Sequence, residues 1–153
     1  MQTKPNIDPL AGPAFLWPTR AVLAPLSGFE PDLWIDGDAF MRFLRNTYIG
    51  FDVATYSISK STFTSCPLRT IRRLIYGLKQ RGTNDKSTEK RFLQNNHIKL
   101  FLCYRDDILQ DCFVGSQNLT HGTNLNLMYR VRDEHKQPLL NLFNTLWNQC
   151  ATK

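Results

Sequence analysis

Apolar and polar positions along the chain change period several times, and each change predicts an element. Alternation is clearest over residues 97–104, His97-Ile98-Lys99-Leu100-Phe101-Leu102-Cys103-Tyr104. A strand repeats every two residues, so His97, Lys99, Phe101 and Cys103 share one face and Ile98, Leu100, Leu102 and Tyr104 the other. Arg105-Asp106-Asp107 reads as a turn, and Ile108 to Val114 as the returning strand of a hairpin. That pairing brings Gly115 and Ser116 back beside the start of the first strand. It gathers His97, Lys99, Ser116 and Asn118 in one pocket.

The other segments follow by the same reading. Residues 1–19 carry Pro5, Pro9, Pro13 and Pro18 around Phe15, Leu16 and Trp17, which predicts an extended N-terminal arm that covers its own core or docks on a partner. Residues 20–150 form a single domain. Arg20 to Leu26 is a first apolar strand, Ala39 to Asn46 a helix behind Asp36 and Asp38, and Phe51 to Ile58 a β-rich run. Pro67 opens a predicted helix with Leu68, Ile71, Ile75 and Leu78 at helical spacing, closed by Arg81-Gly82. Its other face carries Arg69, Arg72, Arg73 and Lys79, a solvated face or a contact for nucleic acid. Residues 83–96 are polar and predict a loop bearing Lys86, Lys90 and Arg91, placed to act as a lid or to guide substrate. Leu125 to Val131 is a strand, and Leu139, Phe143, Leu146 and Cys150 mark one face of a final helix around Trp147. Strands alternating with helices make this an α/β chain, a mixed β-sheet sandwiched by helices. No internal duplication is visible, so one chain supplies one copy of the pocket.

With 153 residues, the chain is long enough to bury a substantial core. The formal net charge of +6 favours polyanionic partners, nucleic acid first. Cys66, Cys103, Cys112 and Cys150 match no zinc-ligand spacing, and no metal site is expected. They read as buried thiols, although Cys103 and Cys112 flank the hairpin turn closely enough for a cross-strand disulfide. No signal-like or membrane-spanning run is found, which places the protein in the cytoplasm without stable membrane association.

The pocket has a chemical logic. An imidazole can attack phosphorus, an ammonium and an amide can hold the non-bridging oxygens, and a hydroxyl can add a hydrogen bond. His97-x-Lys99 followed by Gly115-Ser116-Gln117-Asn118 resembles the signature of the phospholipase D superfamily, and Ala54-Thr55-Tyr56-Ser57 resembles the end of its second strand. The chain looks most like the short, single-motif Nuc-like endonucleases, and the resemblance covers residues 20–148. It implies a phospholipase D-like fold and a metal-independent, cofactor-free nuclease acting on DNA or RNA through a phosphohistidine. It also implies a homodimer, in which His97 of one subunit attacks and the equivalent histidine of the other protonates the leaving oxygen. Lys99 and Asn118 would clamp phosphate oxygens, with Ser116 hydrogen-bonding beside them.

The pattern departs from the family at two places. Tyr104 stands where an Asp is common, with Asp106 and Asp107 nearby, and residues 124–128 hold no acid where a Glu is common. Those departures support an alternative, a catalytically silent relative that binds nucleic acid or acts as a scaffold. A phospholipase is a weaker alternative, since no amphipathic membrane-binding segment is visible. Each residue also has a plainer role: His97 as a polar strand end, Lys99 facing solvent, and Gly115-Ser116 as a turn capped by Asn118. His121 and His135 read as loop and surface residues.

Overall fold

A computed structural model of the chain describes residues 33–58, 68, 70–78, 89–119 and 125–152. The expected arm (1–19) and first strand (20–26) lie outside these residues, as do Cys66, Arg69, Lys79, Lys86 and His121. The described elements are β1 (Leu33–Asp36), α1 (Gly37–Thr47), β2 (Gly50–Thr55), β3 (Ile71–Tyr76), β4 (Glu89–Phe92), β5 (Leu100–Arg105), β6 (Ile108–Gly115), β7 (Leu125–Arg130), α2 (Asp133–Gln149) and β8 (Ala151–Thr152). The strands form one mixed sheet in the order β1-β7-β6-β5-β2-β3-β4-β8. β2, β3 and β4 are parallel neighbours, and the remaining pairs are antiparallel.

The period-two reading of the central strand holds. Phe101 and Cys103 pack on the α1 side with Phe40, Leu44, Phe51 and Phe113, while Leu100, Leu102 and Tyr104 pack on the α2 side with Phe143 and Trp147. On the α1 side, Phe40 meets Phe101 and Phe113 edge-on at 5.4 Å. That is a favoured arrangement of ring quadrupoles. The hairpin forms as expected: Asp106 and Asp107 have φ of 54° and 61° between Arg105 and its partner Ile108. Two consecutive left-handed residues define the turn that matches the twist of a two-residue hairpin. The strand itself begins at Leu100, so His97 and Lys99 lie on the segment leading into it.

Two expectations are corrected, while the reading of the cysteines as buried thiols holds for Cys103 and Cys112. The helix predicted from residue 67 is absent, because residues 71–76 are β3, paired with both β2 and β4. Leu68, Ile71, Ile75 and Leu78 satisfy helical spacing, but the contiguous Leu74-Ile75-Tyr76 run suits a strand buried on both faces. Leu74 and Tyr76 pack on the α1 side and Ile75 on the α2 side. The loop predicted over 83–96 contains β4, whose polar sequence hides it. Its Arg91 guanidinium lies 4.2 Å from the Trp147 ring centre and donates to Trp147 O at 2.8 Å, and Phe92 packs on Tyr76. Long charged side chains cover apolar surface with their stems, so such a strand need not look apolar. Cys103 and Cys112 are free thiols belonging to the packing on opposite sides of the sheet. A disulfide between them would have to pass through it.

Candidate active site

The carboxyl ends of β2 and β3 and the start of β5 meet at one edge of the sheet: Thr55 pairs with Tyr76, and Ala54 with Leu100. Crevices at the carboxyl ends of parallel strands are the usual ligand sites of open α/β sheets. Tyr56, the first residue past β2, is the centre of this one. Its ring stacks on the His97 imidazole with centres 4.1 Å apart and planes 11° from parallel. Lys99 Nζ lies 5.8 Å from the same ring centre. His97 is exposed, and Lys99 and Tyr56 are half-buried.

Asn118 reaches this centre from the other half of the motif. Its Oδ1 accepts from Tyr56 N and Ser57 N, each at 3.1 Å, and lies 3.0 Å from the Thr55 hydroxyl. Two backbone donors on one oxygen fix which way the amide faces. Nδ2 then has no protein partner among the described residues. The Thr55 hydroxyl also accepts from Leu119 N at 3.1 Å, so β2 and the end of the motif are tied in both directions.

Two further amides, to which no spacing in the sequence points, hold the frame. Buried Asn96 donates from Nδ2 to Thr55 O at 3.1 Å and accepts at Oδ1 from Ile98 N at 3.0 Å, fixing the segment that carries His97. A Cβ on Gly77 would lie 2.2 Å from Asn96 O, so only glycine lets β3 exit so close to that segment. Gln117 is buried, donates to Asn118 O and accepts from Asn126 Nδ2, both at 2.7 Å. Gly115 has the same steric role as Gly77, since a Cβ there would meet Leu127 O at 1.9 Å. The signals for Asn96 and Gln117 lay in plain view, beside His97 and inside the Gly-Ser-x-Asn run. Nothing in a single sequence separates them from ordinary loop amides.

The structure thus brings His97, Lys99 and Asn118 around Tyr56. Ser116 is committed elsewhere: its hydroxyl donates to Asn126 Oδ1 and accepts from Leu127 N, both at 2.9 Å. It joins the motif to β7. Tyr104, Asp106 and Asp107 lie at the other end of β5, where Tyr104 pairs with Gly50, so none of them orients His97. Glu134 is in the first turn of α2.

The expected basic helix face does not exist, and its described arginines have structural tasks. Arg73 pairs with buried Asp52 at 2.7 Å, and Arg72 lies over the Tyr104 ring with its guanidinium 3.6 Å from Asp107. Lys90 and Arg91 sit on β4, and Arg69 and Lys86 are not described.

This architecture is a phospholipase D-like α/β fold. Solved structures similar to it include TrmBL2, an archaeal chromatin protein with a novel mode of DNA binding, at 11% identity and a TM-score of 0.55 over 87% of this chain. The chain spans 59% of that protein's length. NucT from Helicobacter pylori is similar at 15% identity and a TM-score of 0.51, over 76% of this chain and 89% of that one. No family model and no curated protein sequence matches the chain.

Proposed function

We propose that the protein is a metal-independent nuclease whose site is completed by a second copy of the chain. The observation that carries this reading is the convergence of His97, Lys99 and Asn118 on Tyr56. It unites a nucleophile, a cation and an amide donor, with Asn118 Nδ2 unpartnered among the described residues, at the carboxyl edge of the sheet. In the first step a neutral His97 nitrogen forms a bond to phosphorus, and the P–O bond to the leaving nucleotide breaks. His97 of the second copy gives that oxygen a proton. In the second step the same histidine takes a proton from water, the water oxygen bonds phosphorus, and the P–N bond breaks. Lys99 and Asn118 Nδ2 hold the non-bridging oxygens through both steps. General acid catalysis of this kind contributes about 10²–10⁴-fold. The fold neighbour NucT, a nuclease of the phospholipase D superfamily, supports the reading.

A second reading is a silent DNA-binding relative, as the chromatin protein TrmBL2 suggests. The observation favouring it is that neither His97 nor Lys99 bonds a carboxylate among the described residues, whereas a base-oriented nucleophile usually has one. Incubating purified protein and its His97→Ala variant with plasmid, single-stranded DNA and RNA in EDTA decides between them. Cleavage by the parent alone supports the nuclease; retained binding without cleavage by either supports the silent relative. A protein that sediments as a monomer under the assay conditions and still turns over would sink the shared site.

A further inference from the structure

We propose that Tyr56 is the positioning residue of His97, orienting the imidazole by face-to-face stacking in place of a carboxylate. This rests on the nuclease reading for its catalytic consequence, but not for the contact itself. A nucleophilic imidazole attacks with a lone pair that lies in the ring plane, so whatever fixes the plane fixes the line of attack. An exposed histidine with no side-chain partner would rotate about two bonds. Here one ring face is covered at 4.1 Å and 11°, and neither ring nitrogen has a hydrogen-bond partner among the described residues. Among the described residues, the side chains on the neighbouring strands that could otherwise hold the ring are placed elsewhere. Tyr104 and Asp106 are at the far end of β5, and Asn126 is engaged by Ser116 and Gln117.

Tyr56 is itself held in place. Its N–H donates to Asn118 Oδ1, and its carbonyl accepts from Gly77 N at 3.0 Å. The histidine segment is tied to the same strand end through Asn96 and Thr55 O. Each stacking partner is therefore held at the same strand end by its own hydrogen bonds. The same ring faces Lys99 Nζ, so one aromatic platform sets both the nucleophile and the cation. When His97 is protonated as the acid of the neighbouring site, the ring face also favours its charge.

The test combines a spectroscopic signature with kinetics. In carbon-edited NMR spectra, the His97 ring protons of the parent should lie upfield of those of His135 through the ring current of Tyr56. Tyr56→Phe should keep that shift and the parental kcat. Tyr56→Leu should abolish the shift and lower kcat about fivefold, with KM unchanged, as expected for losing one aromatic stacking contact. Unshifted His97 resonances in the parent, or a shift that persists in Tyr56→Leu, would overturn the proposal whatever the activity. The upfield shift in a parent that cleaves nothing would overturn the nuclease reading and leave the stacking established.

Discussion

Two polar regions of this molecule treat charge in opposite ways. Under α2, Asp52 is fully buried and surrounded: Arg73 donates to both of its oxygens at 3.2 and 2.7 Å, and the Tyr104 hydroxyl donates to one at 2.8 Å. Arg73 passes the link on to Asn144 of α2 at 3.0 Å and lies over the Phe143 and Trp147 rings. Burial favours loss of its proton, but the Asp52 bonds and charge win and hold its pKa above the ordinary value. At the carboxyl edge of the same strands, the framework is made of neutral amides, Asn96, Gln117 and Asn118. No carboxylate pairs with Lys99 among the described residues. One region sets opposite charges against each other to seat a helix. On the proposed reading, the other leaves Lys99, which pairs with no carboxylate among the described residues, to meet an anion that comes from outside.

Substitutions in each region should therefore separate activity from stability. His97→Ala should reduce metal-free cleavage to background, about 10⁴-fold or more, while leaving the unfolding free energy within about 0.5 kcal/mol. Gel assays and urea titration measure the two. Asp52→Ala should do the reverse, costing about 3 kcal/mol because it strands a partly buried guanidinium, with cleavage per folded molecule retained. A double variant, Asp52→Leu with Arg73→Met, should recover much of that loss. If it recovered none, the ion pair would not be what seats α2. At the site, Asn118→Asp keeps the oxygen that accepts from Tyr56 and Ser57 but puts a negative charge where Nδ2 was. Binding of single-stranded DNA should weaken about 30-fold, read by fluorescence anisotropy. Unchanged binding would remove Asn118 from the phosphate clamp.

Much of this arrangement was legible in the sequence, and the failures have physical causes. The hairpin was readable because period-two alternation and an Asp-Asp turn point to one register. So were α1 and the last helix, whose apolar stripes face a single layer. β3 is hidden because a strand buried on both sides has no alternation, and the apolar residues of its neighbourhood fall at helical spacing. β4 escaped because Lys90 and Arg91 give it the composition of a loop. Of the motif residues, His97, Lys99 and Asn118 meet as the hairpin predicts, but Ser116 turns toward β7 and Tyr56 takes the central place. Side-chain stacking depends on where two strand ends meet, which no spacing rule encodes.

The packed region should also fail first at alkaline pH, and the direction follows from its buried acids. Burial pushes the Cys112 thiol up to about 12, with Asp111 adding to the shift and Lys136 opposing it. In the same layer Tyr104 is raised by burial and then by Asp52, and on the α1 side of the sheet Tyr48 is raised by burial and then by its hydrogen bond to Asp111. A folded-state pKa above the unfolded one gives stability that is complete below the unfolded value and lost as pH rises through the folded value. For Cys112 that window opens near pH 9 and closes near 12. The unfolding free energy should then fall by roughly 1.4 kcal/mol per pH unit for this thiol, with the tyrosines adding to the slope above pH 10. Cys112→Ala should start lower at pH 8, by about 1 kcal/mol for the small cavity, and show a shallower slope. An equal slope in parent and variant would mean that the thiol ionises without unfolding its surroundings. The sheet under α2 would then be open to water in a way that its packing against Leu102 and Phe143 does not suggest.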